Sequence, residues 1–278
     1  MTQPGPRNSG PTWRSDDQPE PPRPTPTGWL LVLLRGGAII AVLLAGVLLI
    51  LPLRLIERLF AGPRRPVTGP WVQGVCRICL WIMGLRWRRI GQPLRGAGAA
   101  VANHSTGLDI FVLNAAMPVF FVSKAEVAGW PGINILTRVT DTHFVTRDPK
   151  LARQQAAEFA ERTRAGHRLL FFPEGTSSDG TRVLPFKATL FQGFLDPALP
   201  DALAIQPVSV RYHAPRDATR ALRLVGDMAL GPHLLAILAQ ARQGCVTVTL
   251  HPPITTAGRN RKELAVLAEA AVRSGFQD

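Results

Sequence analysis

A histidine five residues ahead of an aspartate, where an apolar run ends, is the pair in this sequence best equipped for proton transfer. His104 follows the run 98–102, and Asp109 comes next as the only acid nearby. An imidazole titrates near neutrality, and a carboxylate accepting its other N–H fixes the tautomer and stabilises the charged ring, so the two could act as a general base and its orienting group. Spacing alone does not separate that role from a structural hydrogen bond capping the following helix. A second cluster, from Pro173 through Glu174, Gly175, Thr176, Ser177 and Ser178, ends the apolar run 168–172. It puts a carboxylate and a glycine on a loop where backbone amides can approach a ligand, with Glu174 expected to point toward a pocket. A cap or turn is the alternative. Gly175 to Gly180 form a GxxxxG, but Thr181 and Arg182 follow where a P-loop needs Lys and Ser or Thr, which argues against nucleoside triphosphates.

Elements that could hold such loops are legible on either side. Short apolar runs at 98–102, 119–123, 168–172, 204–211 and 245–250 read as strands, and 151–165 and 261–276 have the composition and spacing of helices. Strands alternating with helices predict an α/β domain with a mainly parallel, covered sheet, whose sites form at strand ends.

Ahead of this domain the chain changes character. Residues 1–27 are rich in Pro, Gly, Ser and Thr and predict a disordered tail. Residues 29–53 are almost wholly apolar, long enough for a hydrocarbon core of about 30 Å. Arg35, near one end of that run, is expected to snorkel toward headgroups. No small-residue cleavage site follows, so a permanent anchor is expected; spanning the bilayer and bending back within one leaflet both stay open. From 54 to 95 there are nine arginines (54, 58, 64, 65, 77, 86, 88, 89 and 95) against one acid, Glu57. That surplus marks the cytoplasmic side and would hold a second apolar run, 71–85, on an anionic surface. The expected organisation is a tail at 1–27, a two-helix membrane element at 28–90 and a catalytic domain at 91–278, on the cytoplasmic side of the inner membrane.

The overall charge of +13, from 32 Lys and Arg against 19 Asp and Glu, calls for an acidic partner. Nucleic acid is not expected, because the Trp- and Leu-laced basic stretch offers neither a recognition helix nor a stacking strip. Cys76, Cys79 and Cys245 are too few for a disulfide framework. The C-x-x-C lacks a second pair for zinc and reads as two small apolar residues on a membrane-facing helix.

Asn103, His104 and Asp109 together resemble the HxxxxD block of the glycerolipid acyltransferase family, which includes 1-acylglycerol-3-phosphate acyltransferases and lyso-ornithine lipid O-acyltransferases. Further blocks follow in the same order: Phe144 to Arg147, Phe172 to Thr176, and Ile205 to Val208. Ser123 to Glu126, with Trp130, Pro131 and Gly132, is similar to the stretch between the first two. The resemblance covers about residues 70–255. It implies single-step transfer of a fatty acyl group from acyl carrier protein or coenzyme A thioester to a lysolipid hydroxyl. His104 would be the base and Asp109 its orienting group; Asn103, Lys124, Arg147, Glu174, Gly175, Thr176 and Ser177 would bind the acceptor. No cofactor or metal is implied, since a thioester is already activated.

Two other classes compete. A serine lipid hydrolase would use Ser105 or Ser177, but no G-x-S-x-G elbow is present. A non-catalytic, membrane-anchored basic binding protein would explain anchor and charge, but not four blocks at loop positions. Phosphatidate-forming members usually carry Arg after Glu-Gly-Thr, and this chain has Ser177 there. The Gly that commonly opens the second block is replaced by Asp141. Loss of an arginine fork should weaken selection for a dianionic headgroup, which favours lyso-ornithine lipid over 1-acyl-sn-glycerol-3-phosphate while Lys124 and Arg147 keep the latter open.

Overall fold

A computed structural model describes residues 23–61, 65–96, 98–124, 137, 140–145, 152–178, 180–195, 199, 203–213 and 230–277. Its centre is an eight-stranded sheet of β1 (Arg86–Ile90), β2 (Gly98–Ala102), β3 (Phe120–Lys124), β4 (His143–Val145), β5 (Arg168–Phe171), β6 (Ala204–His213), β7 (Cys245–Leu250) and β8 (Ile254–Thr255). The order is β1-β7-β6-β2-β5-β3-β4, with β8 also on β6. Pairing is parallel except where β6 meets β7 and β8. The expected mainly parallel α/β sheet is therefore present, and its central strand β2 is buried along its whole length.

Pro207 stands inside β6, where a residue without an N–H should break the ladder. It falls in the gap between two partners: β8 pairs with residues 204 and 205, and β7 begins at 208. Its carbonyl still accepts from His251 N at 3.0 Å, so the proline costs the sheet no donor.

Alternation along β2 divides the core. Ala100 and Ala102 join a cluster with α1 (Pro26–Ala61), α2 (Thr68–Met83), α3 (Asp109–Ala116) and α5 (Leu230–Leu238); Ala99 and Val101 face the other side. There α6 (Arg261–Ser274), α4 (Ala152–Arg164) and the 3-10 segment Ala188–Leu195 supply the cover. Asn260 starts α6 with a capping box, its side chain accepting from Lys262 N and Glu263 N.

The helix α1 is long and apolar enough to cross a membrane, and most of that apolar stretch is not buried in the protein. Leu33, Leu44, Leu48 and Leu59 are among its exposed side chains. It packs on α2, with Trp71 Nε1 donating to Gly46 O at 3.2 Å and Val75 against Gly46. Glu57 caps α2, its carboxylate accepting from Thr68 N at 2.8 Å and Thr68 Oγ1 at 2.6 Å.

Several basic residues serve the protein instead of the headgroups for which the sequence suggested them. Arg35 does not snorkel: its guanidinium donates to Leu238 O at 3.1 Å and Gln240 O at 2.6 Å, satisfying carbonyls at the end of α5. Arg77 and Gln73 donate to Ala115 O, and Arg89 to Ala116 O, so the end of α3 is capped by cations. Residues 86–90 form the edge strand β1 rather than part of an anchor. Cys76 and Cys79 are free thiols buried in the core, not on a lipid face.

Asp141 has φ of 54°, in the left-handed region that non-glycine residues rarely adopt. Its carboxylate meets Arg54 at 2.8 Å and Arg65 at 3.1 Å, and its carbonyl accepts from Arg162 at 2.6 Å. Ion pairs to the end of α1 and the loop before α2 thus hold a residue that would otherwise be strained.

Candidate active site

The loop 103–108 leaves β2, and α3 starts at Asp109, so the two residues expected to move a proton sit on either side of one tight turn. Asp109 N bonds to Thr106 O at 3.0 Å and closes it. Asp109 is fully buried and meets four donors. Its Oδ2 accepts from His104 Nδ1 at 2.8 Å, Ser105 N at 2.7 Å and Thr106 N at 3.0 Å; its Oδ1 accepts from Tyr212 Oη at 2.7 Å. A buried carboxylate needs such donors, and the first turn of a helix adds a favourable dipole. This network places the His104 proton on Nδ1 and leaves the basic lone pair on Nε2, which meets no hydrogen-bond partner among the described residues. The ring stacks on Phe172, centroids 4.1 Å apart, and stays 27% exposed, so a substrate can reach it.

Glu174 does not point toward a pocket. Its carboxylate turns inward, accepting from His104 N at 3.1 Å through Oε2 and from Leu184 N at 3.0 Å through Oε1. Burial pushes its pKa up to about 8, against the pull of those two N–H groups. Ser178 N also donates to His104 O at 2.8 Å, so the loop after β5 grips the backbone of His104 at both its N–H and its carbonyl. The 174–178 turn therefore fixes the His104 loop, while Gly175, Thr176 and Ser177 form its half-exposed outer rim.

Asn103 has its carboxamide turned inward as well. Nδ2 donates to Val210 O at 3.0 Å and Oδ1 accepts from Val210 N at 2.8 Å, tying the end of β2 to β6. Gln206 in the fourth block is similar, bonding Leu94 N, Gln92 O and His251 O. Gly175 has φ of 71°, a backbone conformation that favours glycine, and the Lys187 side chain lies across it. Lys124 ends β3. Arg147 lies outside the described residues, as do Glu126, 130–132, Asp179 and the tail 1–22.

Three contributors were not anticipated. Tyr212 is the only tyrosine in the chain, and a buried phenol must find a partner, which was the available signal. Burial foremost, and then Asp109 beside it, hold its pKa well above the ordinary value, so it stays a neutral donor. His233 on α5 bonds Thr106 Oγ1 through Nδ1 at 2.8 Å, and burial brings its pKa down to about 4, keeping it neutral. Phe172 supplies the surface on which His104 stacks. Nothing local in the sequence marks His233, whose partner is 127 positions away.

The arrangement can remove a proton at one exposed nitrogen while a buried carboxylate stabilises the resulting imidazolium. Ser105 is not set up as a nucleophile: it is buried, and its Oγ lies 3.5 Å from Asn103 Nδ2.

Comparison with known proteins agrees with this chemistry. A family model described as Acyltransferase matches residues 92–211, which span the His104–Asp109 and Glu174 loops and β6 up to Arg211. A lyso-ornithine lipid O-acyltransferase of Rhodobacter capsulatus is 49% identical over 268 residues, 96% of this chain and 97% of that protein. A Pseudomonas aeruginosa protein of the same name is 33% identical over 251 residues, 88% of this chain and 93% of that one. The crystal structure of the 1-acyl-sn-glycerophosphate acyltransferase of Thermotoga maritima superposes with a TM-score of 0.63 over 90% of this chain and 95% of that one; at 18% identity it speaks for the fold. With a near full-length relative at such identity and a family model lying over the His104–Asp109 and Glu174 loops, the chain belongs to the acyltransferase family.

Proposed function

We propose that this acyltransferase moves a fatty acyl group from a carrier-protein or coenzyme A thioester to the hydroxyl of a lysolipid, with lyso-ornithine lipid as the preferred acceptor. The observation that carries the chemistry is the His104–Asp109 bond at 2.8 Å, which leaves Nε2 basic and accessible. In the transfer, Nε2 takes the proton of the acceptor hydroxyl as its oxygen attacks the thioester carbonyl. The carbon–sulfur bond then breaks and the departing thiolate takes the proton from the imidazolium, so atoms and charge balance within one ternary complex. Asp109 orients His104 and meets its positive charge.

Two observations support the acceptor. Relatives named for lyso-ornithine lipid match most of this chain, whereas a 1-acyl-sn-glycerol-3-phosphate acyltransferase of Neisseria gonorrhoeae is 30% identical over 142 residues, 51% of this chain. Ser177 also stands where a phosphate-binding arginine would be expected, and a hydroxyl suits a zwitterionic headgroup with one carboxylate better than a phosphate dianion. Lys124 and Arg147 act on the acceptor headgroup in this reading, beside the rim of Gly175, Thr176 and Ser177.

The apolar face of α1, with α2 packed against it, forms the membrane element, which ends before Arg86 because 86–90 belong to the sheet; the catalytic domain begins with β1. The site opens at the cytoplasmic face of the inner membrane, where soluble donors meet a lipid acceptor held in the leaflet. The test is one purified full-length enzyme assayed side by side on lyso-ornithine lipid and lysophosphatidate, with each donor. A preference of about tenfold or more for the ornithine lipid is expected, on the scale of one lost charge-assisted contact. The opposite preference would overturn the assignment.

A further inference from the structure

We propose that Lys187 is the cation that meets the headgroup carboxylate of the acceptor, a specificity residue outside the four motif blocks; this rests on the lyso-ornithine lipid reading. Lys187 follows the Glu-Gly-Thr loop by eleven positions, counted from Thr176, and folds back over it. Its backbone N–H donates to Pro173 O at 2.9 Å, which fixes the start of its side chain beside the turn. The aliphatic chain then runs across Gly175: Cδ and Cε lie 3.3 Å, and Nζ 2.6 Å, from where a β-carbon would stand. Glycine thus leaves a shallow recess in which the ammonium rests.

That recess adjoins the reacting centre, because Glu174 and Ser178 on either side of the turn bond the N–H and the carbonyl of His104. Lys187 is exposed, and among the described residues no carboxylate or carbonyl bonds its ammonium. A positive charge held beside a catalytic loop with its donors unused is fitted to an anionic group of the substrate. In lyso-ornithine lipid the carboxylate lies a few bonds from the nucleophilic hydroxyl, so a base at His104 and a cation over Gly175 can engage one molecule together. Lysine offers a point charge rather than a planar fork, which suits a singly charged carboxylate and complements the loss of arginine at position 177.

The experiment uses the full-length enzyme in mixed micelles with two acceptors, lyso-ornithine lipid and its analogue with the carboxylate converted to a primary amide. Wild type should lose about tenfold in kcat/KM on the amide, the loss expected for one charge-assisted hydrogen bond. Lys187→Ala should raise KM for the acid about tenfold, leave KM for the acyl donor within about twofold, and no longer distinguish acid from amide. Lys187→Arg should restore most of the discrimination, and equal thermal unfolding of the variants excludes misfolding. Lys187→Ala that still discriminates as wild type does, or that raises the donor KM instead, overturns the role of Lys187. Wild type that takes acid and amide equally overturns it too, while wild type that ignores both and acylates lysophosphatidate overturns the acceptor assignment itself.

Discussion

Replacing Asp109 by asparagine removes a charge while leaving a shape that the site can keep. The amide oxygen can occupy the place of Oδ2 and retain the three N–H donors of His104, Ser105 and Thr106. The amide nitrogen then faces Tyr212 Oη, which can turn its hydroxyl to accept. The opposite orientation would set an NH2 against three donors and is disfavoured. Geometry and fold are therefore retained, and the loss falls on the transition state, where His104 becomes a cation without an anion beside it. Unit charges about 4 Å apart at an effective dielectric of about 20 attract by about 4 kcal/mol. The amide dipole recovers part of this, so about 3 kcal/mol is lost, or at least about a hundredfold in turnover. The assay is transfer of labelled acyl groups by detergent-purified Asp109→Asn, with kcat and both KM values, alongside thermal unfolding. Turnover within about threefold of wild type, in a folded protein, would refute an electrostatic role for Asp109. Combining it with His104→Ala should cost little beyond His104→Ala alone, since the two residues act on one proton.

Tyr212→Phe removes one of the four donors to Asp109, so turnover should fall by about three- to tenfold and stability by about 1 kcal/mol, checked by the same assay and by denaturant unfolding. Glu174→Gln should leave His104 N or Leu184 N facing an NH2 and cost about 1–3 kcal/mol at acidic pH. Its pH dependence is also set. Because burial raises the Glu174 pKa from 4.5 to about 8, its contribution is fully present below 4.5 and is lost as pH rises to about 8. The wild-type advantage over Glu174→Gln in thermal midpoint should therefore shrink across that window. Buried neutral His233 has the opposite sign between about 4 and 6.5, so the comparison must be a difference between the two proteins.

Five of the eight strands were legible because they are continuous apolar runs flanked by turn residues; β2 and β7 fall at the expected positions, and the ends of β3, β5 and β6 shift by at most two residues, whereas arginine-rich β1 and the short β4 and β8 carry no such run. The His104–Asp109 pair was legible because both ends lie on one short turn. What was hidden depends on distant partners. The direction of Asn103 is set by Val210, 107 positions on, and that of Arg35 by carbonyls more than 200 positions away. Glu174 turns inward because two N–H groups at the loop base would otherwise be buried unpaired, a demand that appears only once β2 and β5 lie side by side. The arginines of 54–95 read as one basic surface, yet Arg77 and Arg89 end α3, and Arg54 and Arg65 hold Asp141. Charge counts carry no information on which carbonyls a fold leaves open.

Turnover of His104→Ala, measured on the purified full-length protein with saturating acyl thioester and lysolipid, tests proton removal by His104 most directly. The expected result is a fall of at least about a hundredfold with both KM values little changed and thermal unfolding as in wild type. Near-normal turnover in the folded variant would contradict it.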